Sequence, residues 1–183
     1  MAARRFVLLD RDGTLIAERN YLARVEDVEL LPNAAQGLRL LQQAGLGMAV
    51  LTNQSGVGRG YFDWAALDAV HAHLMQLLAN EGVSLDGIFV CPHTPDDNCD
   101  CRKPQPGLAE RAAAELHFDL TNSFVIGDKP CDIELGRRIG AVPFLVRTGY
   151  GALWEHKGIQ AGYIVDDVLA AARIILERAR MSH

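Results

Sequence analysis

Six short apolar runs punctuate the chain: Phe6 to Leu9, Gly47 to Leu51, Gly87 to Cys91, Ser123 to Ile126, Pro143 to Val146 and Tyr163 to Val165. Each has strand length and almost no charge, which predicts strands buried on both faces, as in a parallel sheet covered by helices. Between the runs, apolar residues recur at helical spacing: Leu38, Leu41 and Leu46, then Leu67, Val70, Leu74 and Leu77, and last Leu169, Ile174 and Leu176. The helix ends are also marked. Pro32 with Asn33 can open the first helix and Gly45 close it, Asp63 can cap the second and Gly82 end it, and Asp166 or Asp167 can cap the last. Strands alternating with helices predict an α/β fold, a doubly wound, Rossmann-like parallel sheet.

In such a sheet a ligand site lies just beyond the carboxyl ends of the strands. The residues at those positions are polar in every case that matters. Asp10-Arg11-Asp12-Gly13-Thr14 follows the first run and Thr52-Asn53-Gln54-Ser55-Gly56 the second. A Cys/His loop leading to Arg102-Lys103 follows the third, and Gly127-Asp128-Lys129 the fourth. Four loops therefore deliver carboxylates, hydroxyls and cations to one edge.

The length of 183 residues suits one domain over 1–183, and 49% apolar with 22% charged residues is a folding composition. A net charge of -5 with scattered arginines leaves no footprint for nucleic acid. The basic start, Met1 to Arg5, precedes an apolar run that stops at Asp10, too short for a signal-peptide core or a membrane span, so a cytoplasmic protein with no membrane partner is expected. No dimer-forming stripe is evident, and a monomer is expected.

Asp10 and Asp12 leave a strand separated by one residue, so one can act as nucleophile and the other as general acid/base. A phosphate ester is strongly anionic, and attack on it by a carboxylate requires charge neutralisation. A magnesium ion bound by Asp10 and Asp128 through oxygen ligands would supply that, with Lys103 and Lys129 as fixed cations. Only three lysines stand against fifteen arginines, and two of the three fall in these loops.

Cys91-x-His93-x5-Cys99-x-Cys101 supplies three sulfurs and an imidazole, the closed set that structural zinc prefers. The spacing is tighter than in a nucleic-acid-binding finger. A zinc there would fix the approach to Arg102 and Lys103. Cys131 stands apart and reads as a small core or helix-start residue.

Asp10-x-Asp12-Gly13-Thr14, Thr52, Lys103 before a proline, and Gly127-Asp128 with Asp132 resemble, in order, the four motifs of the haloacid dehalogenase (HAD) superfamily of phosphatases. The resemblance implies that Asp10 attacks phosphorus, and that Asp12 protonates the leaving oxygen and then activates water. Magnesium would be held by Asp10, Asp128 and the Asp12 carbonyl, while Thr52 and Lys103 bind the phosphoryl oxygens. Asp132 could cap a helix or orient Lys103 or the metal shell. The short gaps between motifs imply a capless enzyme.

The zinc loop narrows the resemblance to the branch holding the heptose bisphosphate and histidinol-phosphate phosphatases. Asn53-Gln54-Ser55-Gly56 with Gly58-Arg59-Gly60, Gly127-Asp128-Lys129, and Leu145 to Gly149 look more like the heptose enzymes, whereas the brevity of the zinc loop looks closer to the histidinol-phosphate enzymes. The expected substrate is therefore the sugar phosphate D-glycero-D-manno-heptose 1,7-bisphosphate, losing its 7-phosphate, with histidinol phosphate as the alternative. Arg102 and the loop Glu18, Arg19, Asn20 and Tyr21 would contact sugar and second phosphate, with Asn53, Gln54, Ser55, Arg59 and Lys129 nearby. A dehalogenase has no need of Asp12 or Asp128, a phosphomutase normally needs a cap, and a zinc-stabilised interaction domain has no reason to carry the four loops.

Overall fold

A computed structural model describes residues 4–181; Met1 to Ala3 of the basic start, and residues 182–183, lie outside the described residues. Six parallel strands form one sheet: β1 (Phe6–Leu9), β2 (Gly47–Asn53), β3 (Gly87–Cys91), β4 (Phe124–Gly127), β5 (Val142–Val146) and β6 (Tyr163–Val165). Their order is β3-β2-β1-β4-β5-β6, so the chain winds one way from β1 and then the other, with the switch between β1 and β4. Leu8 pairs with Ala49 on one side and with Val125 on the other.

Alternation along β1 explains why its run is wholly apolar. Val7 and Leu9 enter one core with Leu38 and Leu41, Val70 and Leu74, and Ala171 and Ile175; Phe6 and Leu8 enter the opposite core with Leu108, Ala112 and Leu135. The first core is covered by α1 (Ala34–Gln43), α3 (Trp64–Asn80) and α7 (Val168–Met181), the second by α4 (Gly107–Leu116) and α5 (Pro130–Arg138). Two short helices, α2 (Ser55–Gly58) and α6 (Gly151–His156), follow β2 and β5. Fully burying a Leu or Phe is worth roughly 1.5–3 kcal/mol, so both sheet faces contribute strongly to stability.

The expected helix ends hold with one difference. Asp63 accepts from the Ala66 N–H at 2.8 Å, Asp167 accepts from Ala170 at 2.9 Å, and Gly45 and Gly82 adopt φ of 81° and 74° at the ends of their helices. Asn33 precedes α1 in the left-handed region without capping it, because its amide instead donates to Asp167 at 2.7 Å. Leu46 lies beyond α1 but is buried in the turn into β2. Among the described residues, no inserted unit covers the strand ends, and no helix is long and apolar enough to cross a membrane.

Candidate active site

The backbone of Asp10 leaves β1 still paired with β4, its N–H donating to the Ile126 carbonyl at 2.9 Å. The carboxylate thus sits at the switch point, the one place where helices depart to opposite faces. Lys103 reaches it from the loop after β3. The Lys103 ammonium is almost fully buried and donates to Asp10 Oδ1 at 2.8 Å and to Asp132 Oδ1 at 2.7 Å. Burial pushes the Asp10 carboxyl up, but the charges of Lys103 and Lys129 outweigh it and hold the group below its ordinary range. For Lys103, burial disfavours the ammonium, and Asp10 and Asp132 more than restore it. A buried, ionised carboxylate beside a locked cation is an arrangement suited to nucleophilic attack.

The loop that carries Lys103 is clamped at two points. Asn53 accepts from the Lys103 N–H at 3.0 Å and donates to the Lys103 carbonyl at 3.1 Å. The second clamp is the cysteine cluster: Cys91 Sγ lies 3.2 Å from Cys101 Sγ and 3.7 Å from Cys99 Sγ, with His93 Nδ1 at 3.5 Å from Cys91 and 3.3 Å from Cys101. A tetrahedral zinc with ~2.3 Å sulfur bonds needs sulfur-sulfur edges of about 3.8 Å, so these four atoms fit one ion. The thiols are free, and Cys99, although burial pushes it up, is brought down to about 7 by N–H donors from Arg102 and Cys101. The Arg102 N–H points at Cys99 Sγ at 3.3 Å, tying the residue before Lys103 to the cluster.

Donor atoms of Asp10, Asp128 and Asp132 lie within 4.8 Å of one another. Asp128 Oδ2 accepts from the Tyr150 N–H at 2.9 Å, but buried Asp128 Oδ1 has no protein partner, and neither does the nearby motif hydroxyl of Thr14. Burial first, and the charge of Asp10 second, push Asp128 up to about 8. An orphaned carboxylate oxygen among carboxylates, disfavoured as an anion, fits a hard cation such as magnesium. Space around Asp128 is kept by glycines: a Cβ at Gly13 or at Gly149 would collide with its carboxylate, and both have positive φ, 79° and 55°. Asp132 takes two of the roles expected of it, holding Lys103 and accepting from the Lys129 N–H at 3.2 Å at the start of α5.

Asp12 and Lys129 line a polar pocket of about 200 Å³ together with Glu18, Asn20, Tyr21, Gln54, Ser55 and Tyr150. Gln54 donates to Asp12 Oδ2 at 2.9 Å and to Thr52 Oγ1 at 2.7 Å. Glu18 bridges the Lys129 ammonium at 2.9 Å, and Lys129 also lies over the Tyr150 ring at 5.4 Å. Asn20 and Tyr21 take left-handed φ of 49° and 62°, strain of the kind stored where a loop shapes a ligand.

Three expected substrate contacts, all arginines, are corrected. Arg19 is exposed and bridges Glu29 at 2.6 Å, away from the pocket. Arg59 is exposed, outside the pocket lining, and its charge is felt at Asp97 instead. Arg102 donates to the His93 carbonyl at 3.1 Å and, with Lys103, lines a second cavity of about 250 Å³ rather than the one at Glu18. Asn53 lines the pocket beside Gln54 and Ser55, and its amide also holds the Lys103 backbone. Conversely, Arg11, His71 and Tyr150 were not expected. Arg11 fills the open position of Asp-x-Asp, Tyr150 follows the Leu145 to Gly149 motif, and nothing in the sequence links His71 on α3 to either.

The HAD-hydrolase-like family model matches residues 100–171. A D-glycero-beta-D-manno-heptose-1,7-bisphosphate 7-phosphatase of Pseudomonas aeruginosa is 38% identical over 96% of this chain and 99% of its own. The chain belongs to the heptose-bisphosphate phosphatase family. A family member of Thermosynechococcus vestitus, a D-glycero-D-manno-heptose-1,7-bisphosphate 7-phosphatase, is 37% identical over 92% of this chain and 94% of its own. The crystal structure of the Bordetella bronchiseptica family member, complexed with magnesium and phosphate, superposes with a TM-score of 0.88 at 36% identity, covering 95% of this chain and 99% of that one.

Proposed function

We propose that the protein hydrolyses the 7-phosphate of D-glycero-D-manno-heptose 1,7-bisphosphate and leaves the 1-phosphate in place. The observation that carries this reading is the buried Asp10–Lys103 pair, with Lys129 linking Asp10 to a polar pocket, in a chain 38% identical over almost its whole length to an enzyme of that name. Asp10 attacks phosphorus and the bond to the sugar oxygen breaks, with the Asp12 proton passing to that oxygen. Water then attacks the aspartyl-phosphate, giving its proton to Asp12 and releasing phosphate and free Asp10. Thr52 and Lys103 bind the phosphoryl oxygens. Asp10, Asp128 and the Asp12 carbonyl would hold magnesium, which when bound neutralises charge developing on the phosphoryl group.

Lys129, Glu18, Asn20, Tyr21, Gln54 and Ser55 take the sugar and its 1-phosphate, with Lys129 as the cation. Cys91, His93, Cys99 and Cys101 hold a structural zinc, a ligand set of reduced thiols suited to the cytoplasm. The chain acts as one domain and a monomer, without nucleic-acid or membrane partners, in the synthesis of nucleotide-activated heptose for lipopolysaccharide or surface-layer glycan. Phosphate release from the bisphosphate in the presence of magnesium tests the reading: Asp10→Asn abolishes it, and an active Asp10→Asn protein refutes the nucleophile.

A further inference from the structure

Among the described residues Arg11 is the largest fully buried side chain, and the chemistry assigned above gives it no task. It leaves β1 between the two motif aspartates. Its Nε donates to Asp12 Oδ2 at 2.9 Å and its Nη2 to Asp12 Oδ1 at 3.0 Å, a forked pair that fixes the plane of the carboxylate. With Gln54 on Oδ2, Asp12 receives three donated hydrogen bonds from side chains. The remaining guanidinium nitrogen, Nη1, lies 3.0 Å from Nε2 of His71, which projects from α3, 60 residues along the chain. An arginine fork cannot tilt without moving both bonds to Asp12, so whatever holds Nη1 also sets the carboxylate.

His71 can play that part only as an acceptor, with Nε2 unprotonated. Burial and then the charge of Arg11 lower it to about 4, so the imidazole is neutral and accepts from Arg11 at working pH. Take away that acceptor and a buried N–H is orphaned, an outcome relieved by turning the guanidinium away from Asp12. The clamp also bears on proton transfer itself. The two donors on Oδ2 and the one on Oδ1 leave a lone pair on Oδ1, so the clamp fixes which oxygen carries the proton that passes to the leaving oxygen.

We propose that His71 is a positioning residue which, through Arg11, holds the Asp12 carboxylate in line for its proton transfers. The inference rests on the reading of Asp12 as the general acid above. It predicts an effect that depends on the leaving group, because a nitrophenolate departs without a proton whereas a sugar alkoxide does not.

The test compares kcat/KM for the heptose bisphosphate and for p-nitrophenyl phosphate in the wild type, His71→Phe, His71→Gln and Asp12→Asn, all with magnesium. His71→Phe removes the acceptor while keeping the bulk. Glutamine places an oxygen near the position of Nε2. Expected are a loss of about 10-fold or more on the sugar phosphate in His71→Phe, about 3-fold or less on the aryl phosphate, and recovery of most of the difference in His71→Gln. Asp12→Asn shows the same pattern with larger losses. Equal losses on both esters in His71→Phe, or no loss on either, overturn the positioning role while Asp12→Asn keeps its leaving-group dependence. If Asp12→Asn itself loses both activities equally, the assignment of Asp12 as acid fails, and the inference with it.

Discussion

Replacing His71 by glutamine removes a titration whose size follows from the site, and the consequence is a change in how stability depends on pH. In the folded protein His71 is lowered from 6.5 to about 4, by burial first and the Arg11 charge second, against a smaller opposing pull from Asp12. Between those values the unfolded chain binds a proton that the folded chain does not. Stability from this residue is therefore fully present above about pH 6.5 and is lost as pH falls toward about 4. The full shift corresponds to about 3 kcal/mol, and integrating only to pH 5 gives about 2 kcal/mol. Glutamine keeps an acceptor for Arg11 and does not titrate. The carboxylates of the site titrate alike in both proteins and cancel in the difference. Urea denaturation followed by the fluorescence of Trp64 and Trp154 at pH 7 and pH 5 gives the four free energies required. Wild type should lose about 2 kcal/mol more than His71→Gln between the two. Parallel losses would refute the neutral imidazole, and a smaller loss in wild type would mean that His71 is charged and paired with Asp12.

Gly13→Ala and Gly149→Ala each drive a methyl group into the Asp128 carboxylate at positive φ, so kcat/KM should fall about 100-fold or more, with weakened magnesium dependence, in steady-state assays over a magnesium series. Cys99→Ser opens the cysteine cluster, so zinc content measured by mass spectrometry should drop from one per chain and Tm by about 5 to 10 °C in calorimetry. Tyr150→Ala leaves its backbone N–H on Asp128 but removes the ring beneath Lys129, so KM for the bisphosphate should rise about 3- to 10-fold with kcat little changed.

The sheet was legible because each strand is a short run without charge, and a strand buried on both faces needs no subtler signal. β2, β4 and β5 differ from their runs by a residue or two at the ends, where pairing continues into polar or non-apolar positions such as Thr52, Asn53 and Gly127. The helices α4, α5 and α6 carry no comparable stripe. In α4 the buried face is largely alanine, with Ala109 and Ala112 beside Leu108, and in α5 a packed face of Asp132, Ile133, Leu135 and Gly136 mixes the site with the core. Among the site residues, those the motif spacing brings to the strand ends converge: Asp10, Asp12, Thr52, Lys103 and Asp128 are gathered where the switch point predicts a ligand. The arginines were not legible, since a guanidinium on a loop is directed by partners that no local spacing reveals. Glu29 draws off Arg19 and the His93 carbonyl draws off Arg102, whereas Arg11 is turned inward by Asp12 and by a histidine on a distant helix.

Phosphorus NMR of heptose 1,7-bisphosphate incubated with the purified protein and magnesium, with histidinol phosphate run alongside at the same concentration, reports directly which ester is cleaved. The 7-phosphate resonance should be replaced by inorganic phosphate while the 1-phosphate persists, at a rate far above that for histidinol phosphate. Loss of the 1-phosphate first, or faster turnover of histidinol phosphate, would contradict the proposed activity.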